Sequence, residues 1–126
     1  TVRSVTTQPE LERTQLLKGI LDAVVLAALS VADGYGYDVV RRLRVAGLPD
    51  IADASVYGPL RRLFGQGLLT SYVVPSDEGP HRKYYGLTPA GRDALASQQR
   101  EWSAFADTVG KILDGDAFAT SKEPTS

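Results

Sequence analysis

The stretch DASVYGPLRRLFGQGLLTSYVV, residues 53–74, decides how this chain is read, because its periodicity changes part-way along. Val56, Leu60 and Leu63 recur at steps of four and three, which predicts a helix starting near Asp53 to Ser55 with one buried face. Its opposite face holds Ala54, Gly58, Arg61 and Gly65, flanked by Ser55, Tyr57 and Arg62. Gly65 and Gly67 stop it, and Leu68 to Val74 turns to β-branched and aromatic residues that predict a strand. A helix whose outward side is small residues bordered by arginines can bring its backbone close to a groove in a nucleic acid. Its guanidinium groups can fork onto guanine edges or bind phosphates. Taken alone, an ordinary solvated face explains the same residues equally well.

Working outward, Lys83 to Leu87 predicts a second strand, joined to the first through the turn-rich segment PSDEGP, residues 75–80. The two form a β-hairpin with a mobile tip. Upstream, an apolar stripe of Leu17, Leu21, Val24 and Ala28, widened by Leu16, Ile20 and Val25, predicts a first helix from Leu11 that ends before Asp33-Gly34. Tyr37, Val40 and Leu43 mark a second helix closed by Gly47 and Pro49. Downstream, Thr88 as N-cap and Pro89 at the first helical position begin a long helix to about Leu113. Leu95, Trp102, Phe105, Val109 and Ile112 follow a 7-3-4-3 spacing along it, the seam of a coiled coil. The fold expected is mainly α with a small β-hairpin. It divides into a winged helix-turn-helix over residues 11–88, a C-terminal dimerisation helix over 89–114, and flexible tails at 1–10 and 115–126.

Composition narrows the function classes. A chain of 126 residues with 43% hydrophobic content suits one compact domain with a helical extension. With 0 cysteines, disulfides, thiolate metal sites and cysteine nucleophiles are excluded, and a reducing cytoplasm is the expected setting. No apolar run approaches the ~20 residues needed to span a bilayer, and residues 1–10 do not read as a signal peptide, so no membrane is expected as a partner. The net charge of -1 argues mildly against a nucleic-acid partner, but its distribution argues for one. Acidic residues outnumber basic ones from Ala90 onward. Between Gly34 and Thr88 the balance reverses, with clusters at Arg41, Arg42 and Arg44, at Arg61 and Arg62, and at Arg82 and Lys83.

The hairpin tip favours the nucleic-acid reading. His81, Arg82 and Lys83 set three donors able to carry positive charge beside a flexible turn, as a wing reaching along a phosphate backbone requires. The simpler use of such charges is to keep a sheet edge from aggregating. His81 is the 1 histidine, so it lacks a second metal ligand, and no nucleophile–base pair is evident. No enzyme activity, metal or cofactor is implied. The segment Asp33-Gly34-Tyr35-Gly36-Tyr37 lacks the Gly-Lys-Ser/Thr of a phosphate-cradling loop and reads as a turn into the second helix. The start of that helix, with the Tyr37 hydroxyl, suits one DNA phosphate.

Several fragments, in this order and spacing, resemble the PadR family of transcriptional regulators. They are Leu16-Leu17-Lys18-Gly19-Ile20-Leu21-Asp22, Gly34 to Asp38, Ser55-Val56-Tyr57 with Arg61-Arg62-Leu63, and Gly67-Leu68-Leu69. The most specific is Gly79-Pro80-His81-Arg82-Lys83-Tyr84-Tyr85-Gly86-Leu87-Thr88-Pro89-Ala90-Gly91-Arg92, continued by Glu101-Trp102. The likeness runs from about Leu16 to Leu113. It implies a homodimer on double-stranded DNA, repression relieved by a small molecule, and DNA contacts at Lys18, Tyr37, Ser55, Tyr57, Arg61, Arg82 and Lys83. One departure stands out: Gly58 takes the place where the family usually has proline, and Pro59 follows. A proline truly inside a helix costs ~3 kcal/mol.

Trp102 has two readings. Packing across a dimer seam is the favoured one, since an aromatic at an apolar interface needs no ligand to explain it. The other is stacking, together with Phe105, on a small planar aromatic effector, as in some relatives. A winged-helix module that binds protein rather than DNA is the competing function from a different class.

Overall fold

In the computed structural model, residues 15–119 are described. The elements are α1 (Leu21–Ser30), β1 (Gly34–Tyr35), α2 (Gly36–Ala46), a 3-10 turn (Asp53–Val56), α3 (Tyr57–Gly65), β2 (Leu69–Val74), β3 (Arg82–Leu87), α4 (Pro89–Asp114) and α5 (Asp116–Ala119). The expected order of three helices, a hairpin and a long helix is present, and the fold is a mainly helical winged helix with a small sheet. Two compact units divide after Leu95, inside α4. The first turns of α4 therefore belong with the helix-turn-helix, where Ala94 and Leu95 pack against its core.

The core forms where three helices turn apolar faces to one another. Val25, Leu26 and Leu29 of α1 meet Val39, Val40 and Leu43 of α2 and Leu60 and Leu63 of α3, with Val56, Leu69 and Tyr85 closing it. The face expected for α3, Val56, Leu60 and Leu63, is fully buried. On α1 the buried side is rotated from the expected stripe: Leu17, Leu21 and Val24 are only partly covered, while Val25, Leu26 and Leu29 lie innermost. On α2, Tyr37 points outward and Val39 takes the inward place.

Four local features differ from the sequence reading. The first helix does not run unbroken from Leu11: residues 15–18 are helical, residues 19 and 20 form a turn, and α1 starts after Ile20 at φ -125 and ψ 7. Gly19, a poor helix former, sits in that turn. Residues 1–14 and 120–126, which include most of the two expected tails, lie outside the described residues. Within the C-terminal tail, residues 116–119 form the short α5. Gly34 and Tyr35 are not merely a turn but a strand paired antiparallel to β3, so the hairpin becomes a three-stranded sheet of order β1-β3-β2. The proline problem also dissolves. The backbone is a 3-10 turn up to Val56 and α-helical from Tyr57, so Pro59 falls in the first turn, where a helix has no backbone acceptor for its N–H.

The joint between sheet and α4 is made by Thr88, as expected of an N-cap. Its hydroxyl accepts from the Gly91 N–H at 3.0 Å and donates to the Gly67 carbonyl at 2.8 Å, and its own N–H donates to the Leu68 carbonyl at 3.1 Å. Gly91 is buried here because the Leu68 carbonyl lies where its Cβ would stand. We expect Gly91→Ala to destabilise by about 1–3 kcal/mol through this clash, outweighing the ~1 kcal/mol that alanine gains in helix propensity. Urea unfolding would show a lower midpoint at unchanged m; an unchanged or raised midpoint would mean that the joint gives way freely.

Candidate nucleic-acid interface

The basic residues divide by what already holds them. Arg42 sits over the end of α1 and donates to the carbonyls of Ala28 (3.0 Å), Ala32 (2.6 Å) and Asp33 (3.0 Å), which have no helical partners of their own. Arg44 donates to the Ile51 carbonyl at 2.9 Å and to the Asp53 carboxylate at 2.8 Å, fixing the loop that leads into α3. Arg62, one of the expected DNA contacts, forks onto Asp22 of α1 at 2.6 and 3.2 Å. The Asp22 hydrogen bond, with its charge, raises the Arg62 pKa further. These three arginines tie helices together. Arg41 reaches Asp38 only at 3.4 Å and lies 5.8 Å from the Tyr37 ring.

Arg61, Lys18, His81, Arg82 and Lys83 are exposed, and none forms an ion pair or side-chain hydrogen bond among the described residues. Lys18 ends the helical turn before α1, Arg61 lies on the outward side of α3, and His81 precedes β3. Ser55 is half-buried and its hydroxyl donates back to the Ala52 carbonyl at 2.7 Å. Tyr57 is half-exposed and its ring lies against Gly36 at the start of α2, where any side chain would collide with it. Tyr37 is also half-exposed, with its ring 6.2 Å from that of Tyr35. Tyr37 and Tyr57, distant in sequence, are thus gathered around one helix start.

Arg82 and Lys83, expected as a pair, point to opposite faces of the sheet because side chains alternate along a strand. The Lys83 ammonium lies 5.7 Å from the Phe64 ring of α3 and 5.9 Å from the Tyr85 ring, on the face that carries the core. The Arg82 guanidinium lies 4.9 Å from the Tyr35 ring, on the other face. There Tyr35 of β1, Tyr84 of β3 and Tyr72 of β2 stand in one cross-strand row, with centroids 5.4 and 5.9 Å apart. The Tyr72 hydroxyl ends the row by donating to the Asp33 carboxylate at 2.6 Å. None of Tyr35, Tyr72 or Tyr84 stands out from sequence alone; the legible signal was the alternation of Arg82, Tyr84 and Gly86 against Lys83, Tyr85 and Leu87.

A helix-turn-helix with free cations on its third helix and wing is the architecture of a DNA-binding protein. The family model for PadR-like transcriptional regulators matches residues 25–97. The chain belongs to this family. It is similar to a PadR family regulator from Eggerthella lenta, with 35% identity, 81% of this chain and 88% of that one covered, and a TM-score of 0.72. A PadR-like regulator from Bacillus cereus is 32% identical, with 80% and 98% covered and a TM-score of 0.67. An uncharacterised protein from Lysinibacillus sphaericus is 26% identical over 105 residues, 82% of this chain and 96% of its own. As a PadR-like protein the chain is a DNA-binding transcriptional regulator. In this PadR-like chain no helix among the described residues is long and apolar enough to cross a membrane.

The hydrogen bond to Asp33 raises the Tyr72 pKa, with burial and the carboxylate charge adding to it. Since the folded-state value lies above the unfolded one, the stabilising contribution is complete below about pH 10, the ordinary tyrosine value. It is lost as pH rises through the raised value. Ultraviolet titration should therefore show a tyrosine step above the ordinary value, and Tyr72→Phe should remove that step. A late step that persists in Tyr72→Phe, or none in the parent protein, would count against the bond.

Proposed function

We propose that this regulator is a homodimeric repressor that binds a pseudo-palindromic operator and is released by a small aromatic effector. The observation that carries the DNA-binding part is the division of the cations: Arg42, Arg44 and Arg62 are committed to the fold, whereas Arg61, Arg82 and Lys83 are left for a partner. Arg61 is assigned to the major groove, Tyr57 and Ser55 to its edge, and Arg82, Lys83 and His81 to the wing's phosphates. Tyr37 and Lys18 take further backbone contacts, and Arg62 contributes charge from its place beside Asp22. Working on DNA, such a protein acts in the cytoplasm.

Dimerisation is supported by apolar surface that one chain leaves in water. Within the second unit Trp102 is 49% exposed, Phe105 62% and Leu113 79%. In the first unit the Leu17, Leu21 and Val24 stripe of the first helix is only partly covered. A seam of this kind on α4 is what a second copy would bury.

Selection of bound duplexes from random DNA tests the reading. We expect an inverted repeat with half-site centres about ten base pairs, ~34 Å, apart, because two-fold symmetric heads enter successive major grooves. Arg61→Ala should relax the choice at one base pair by about 1–3 kcal/mol. Recovery of no enriched sequence, together with salt-independent binding of a protein ligand, would favour the protein-interaction module instead.

The effector part rests on Trp102 and Phe105, whose rings lie 6.5 Å apart on the solvent side of α4. A planar compound stacking on them shifts the equilibrium only if it binds the DNA-incompetent dimer more tightly. An authentic inducer should change Trp102 emission, and Trp102→Ala should weaken its effect on DNA release. Undiminished potency against Trp102→Ala would leave the tryptophan as dimer packing alone.

A further inference from the structure

We propose that Tyr35 is a positioning residue for DNA binding: its ring holds the Arg82 guanidinium, so that the wing's cation is ordered before DNA arrives and is tied to the start of α2. The inference rests on the proposed use of the wing and goes beyond it, since no contact between Tyr35 itself and DNA is invoked.

Three observations converge. Tyr35 is half-buried and occupies the residue before α2, where the Asp38 carboxylate accepts its backbone N–H at 3.2 Å. Its ring is thus fixed relative to the helix that carries Tyr37. Secondly, the Arg82 guanidinium stacks over that ring at 4.9 Å and makes no ion pair or hydrogen bond among the described residues. Contact with the ring uses none of the guanidinium's N–H donors, which phosphate binding needs. Thirdly, the ring cannot shift freely. Tyr84 packs against it at 5.4 Å, Tyr72 packs on Tyr84, and Asp33 holds the Tyr72 hydroxyl. The Asp33 carboxylate occupies the space that a side chain at Gly86 would take. Asp33 is itself held through its carbonyl by Arg42 at 3.0 Å.

The consequence is energetic. A free arginine loses rotamer freedom when it meets a phosphate, and a preordered one loses less. The row also fixes the wing against the helix-turn-helix, so that Arg82 and Tyr37 move together.

Fluorescence anisotropy tests this on a duplex recovered from random-sequence selection and on an unrelated duplex at low salt. Tyr35→Leu, which keeps the charge and much of the bulk, should weaken binding to both by about two- to fivefold per half-site. Tyr35→Phe, which keeps the ring, should restore it. In an Arg82→Ala background Tyr35→Leu should add no further loss. Arg82→Lys sits at an exposed position and leaves the Tyr35 packing intact. It should weaken binding at an unchanged salt slope, because the charge remains while the stacked fork is gone. Additive losses from Tyr35→Leu and Arg82→Ala, tighter binding by Tyr35→Leu, or full affinity of Arg82→Lys would each overturn the positioning role. Full affinity of Arg82→Ala would instead overturn the assignment of the wing to DNA, and the positioning role with it.

Discussion

Pairing of β3 along both of its edges is the constraint on which the rest of the DNA-binding unit depends. A two-stranded hairpin alone is marginal in water, and its register is set mainly by its turn. Here β3 is held by β2 on one side and by Gly34 and Tyr35 on the other. With the register fixed, alternation leaves no choice about faces: Tyr85 enters the core, and Arg82 and Tyr84 leave it. The same pairing locates the residue before α2. The start of that helix, the wing and the outer tyrosine row therefore form one mechanical piece.

The arginines illustrate how a protein of net charge -1 can still offer a basic surface. Arg42 satisfies carbonyls that the end of α1 leaves over, Arg44 holds the approach to α3, and Arg62 bridges α3 to α1. Each satisfies backbone or carboxylate groups that a lysine's single ammonium would serve less well, because a planar fork can reach two or three oxygens at once. Among the described residues, the cations without such partners include Arg61 on the outward side of α3 and Arg82 and Lys83 on β3. Held and unheld charges are therefore interleaved in sequence: Arg62 is bound to Asp22, while the adjacent Arg61 is exposed without such a partner among the described residues.

The second unit poses a different physical problem. Along its apolar seam Trp102, Phe105 and Ile112 stay substantially exposed. Inside a single chain such a helix is costly. The proposed second copy with the same seam would resolve it, because an isologous contact pairs like with like.

Apolar periodicity was enough for three helices and a long final helix, and β-branched residues around a turn-rich segment for the wing. It was enough also for the inward face of α3, for Thr88 as a cap, and for the exposure of Arg61, Arg82 and Lys83. It was silent on β1, since two residues carry no period, and it did not single out Val39 on the buried side of α2. Arg62 could not be separated from Arg61, because its partner Asp22 is forty residues away in the chain and close only after α1 and α3 pack. The same holds for the row of Tyr35, Tyr84 and Tyr72. Their neighbourhood is made by strand pairing across the sheet, a long-range contact that local sequence does not encode. What the tertiary structure decided was therefore which of several similar side chains met a partner within the fold and which stayed exposed without one among the described residues.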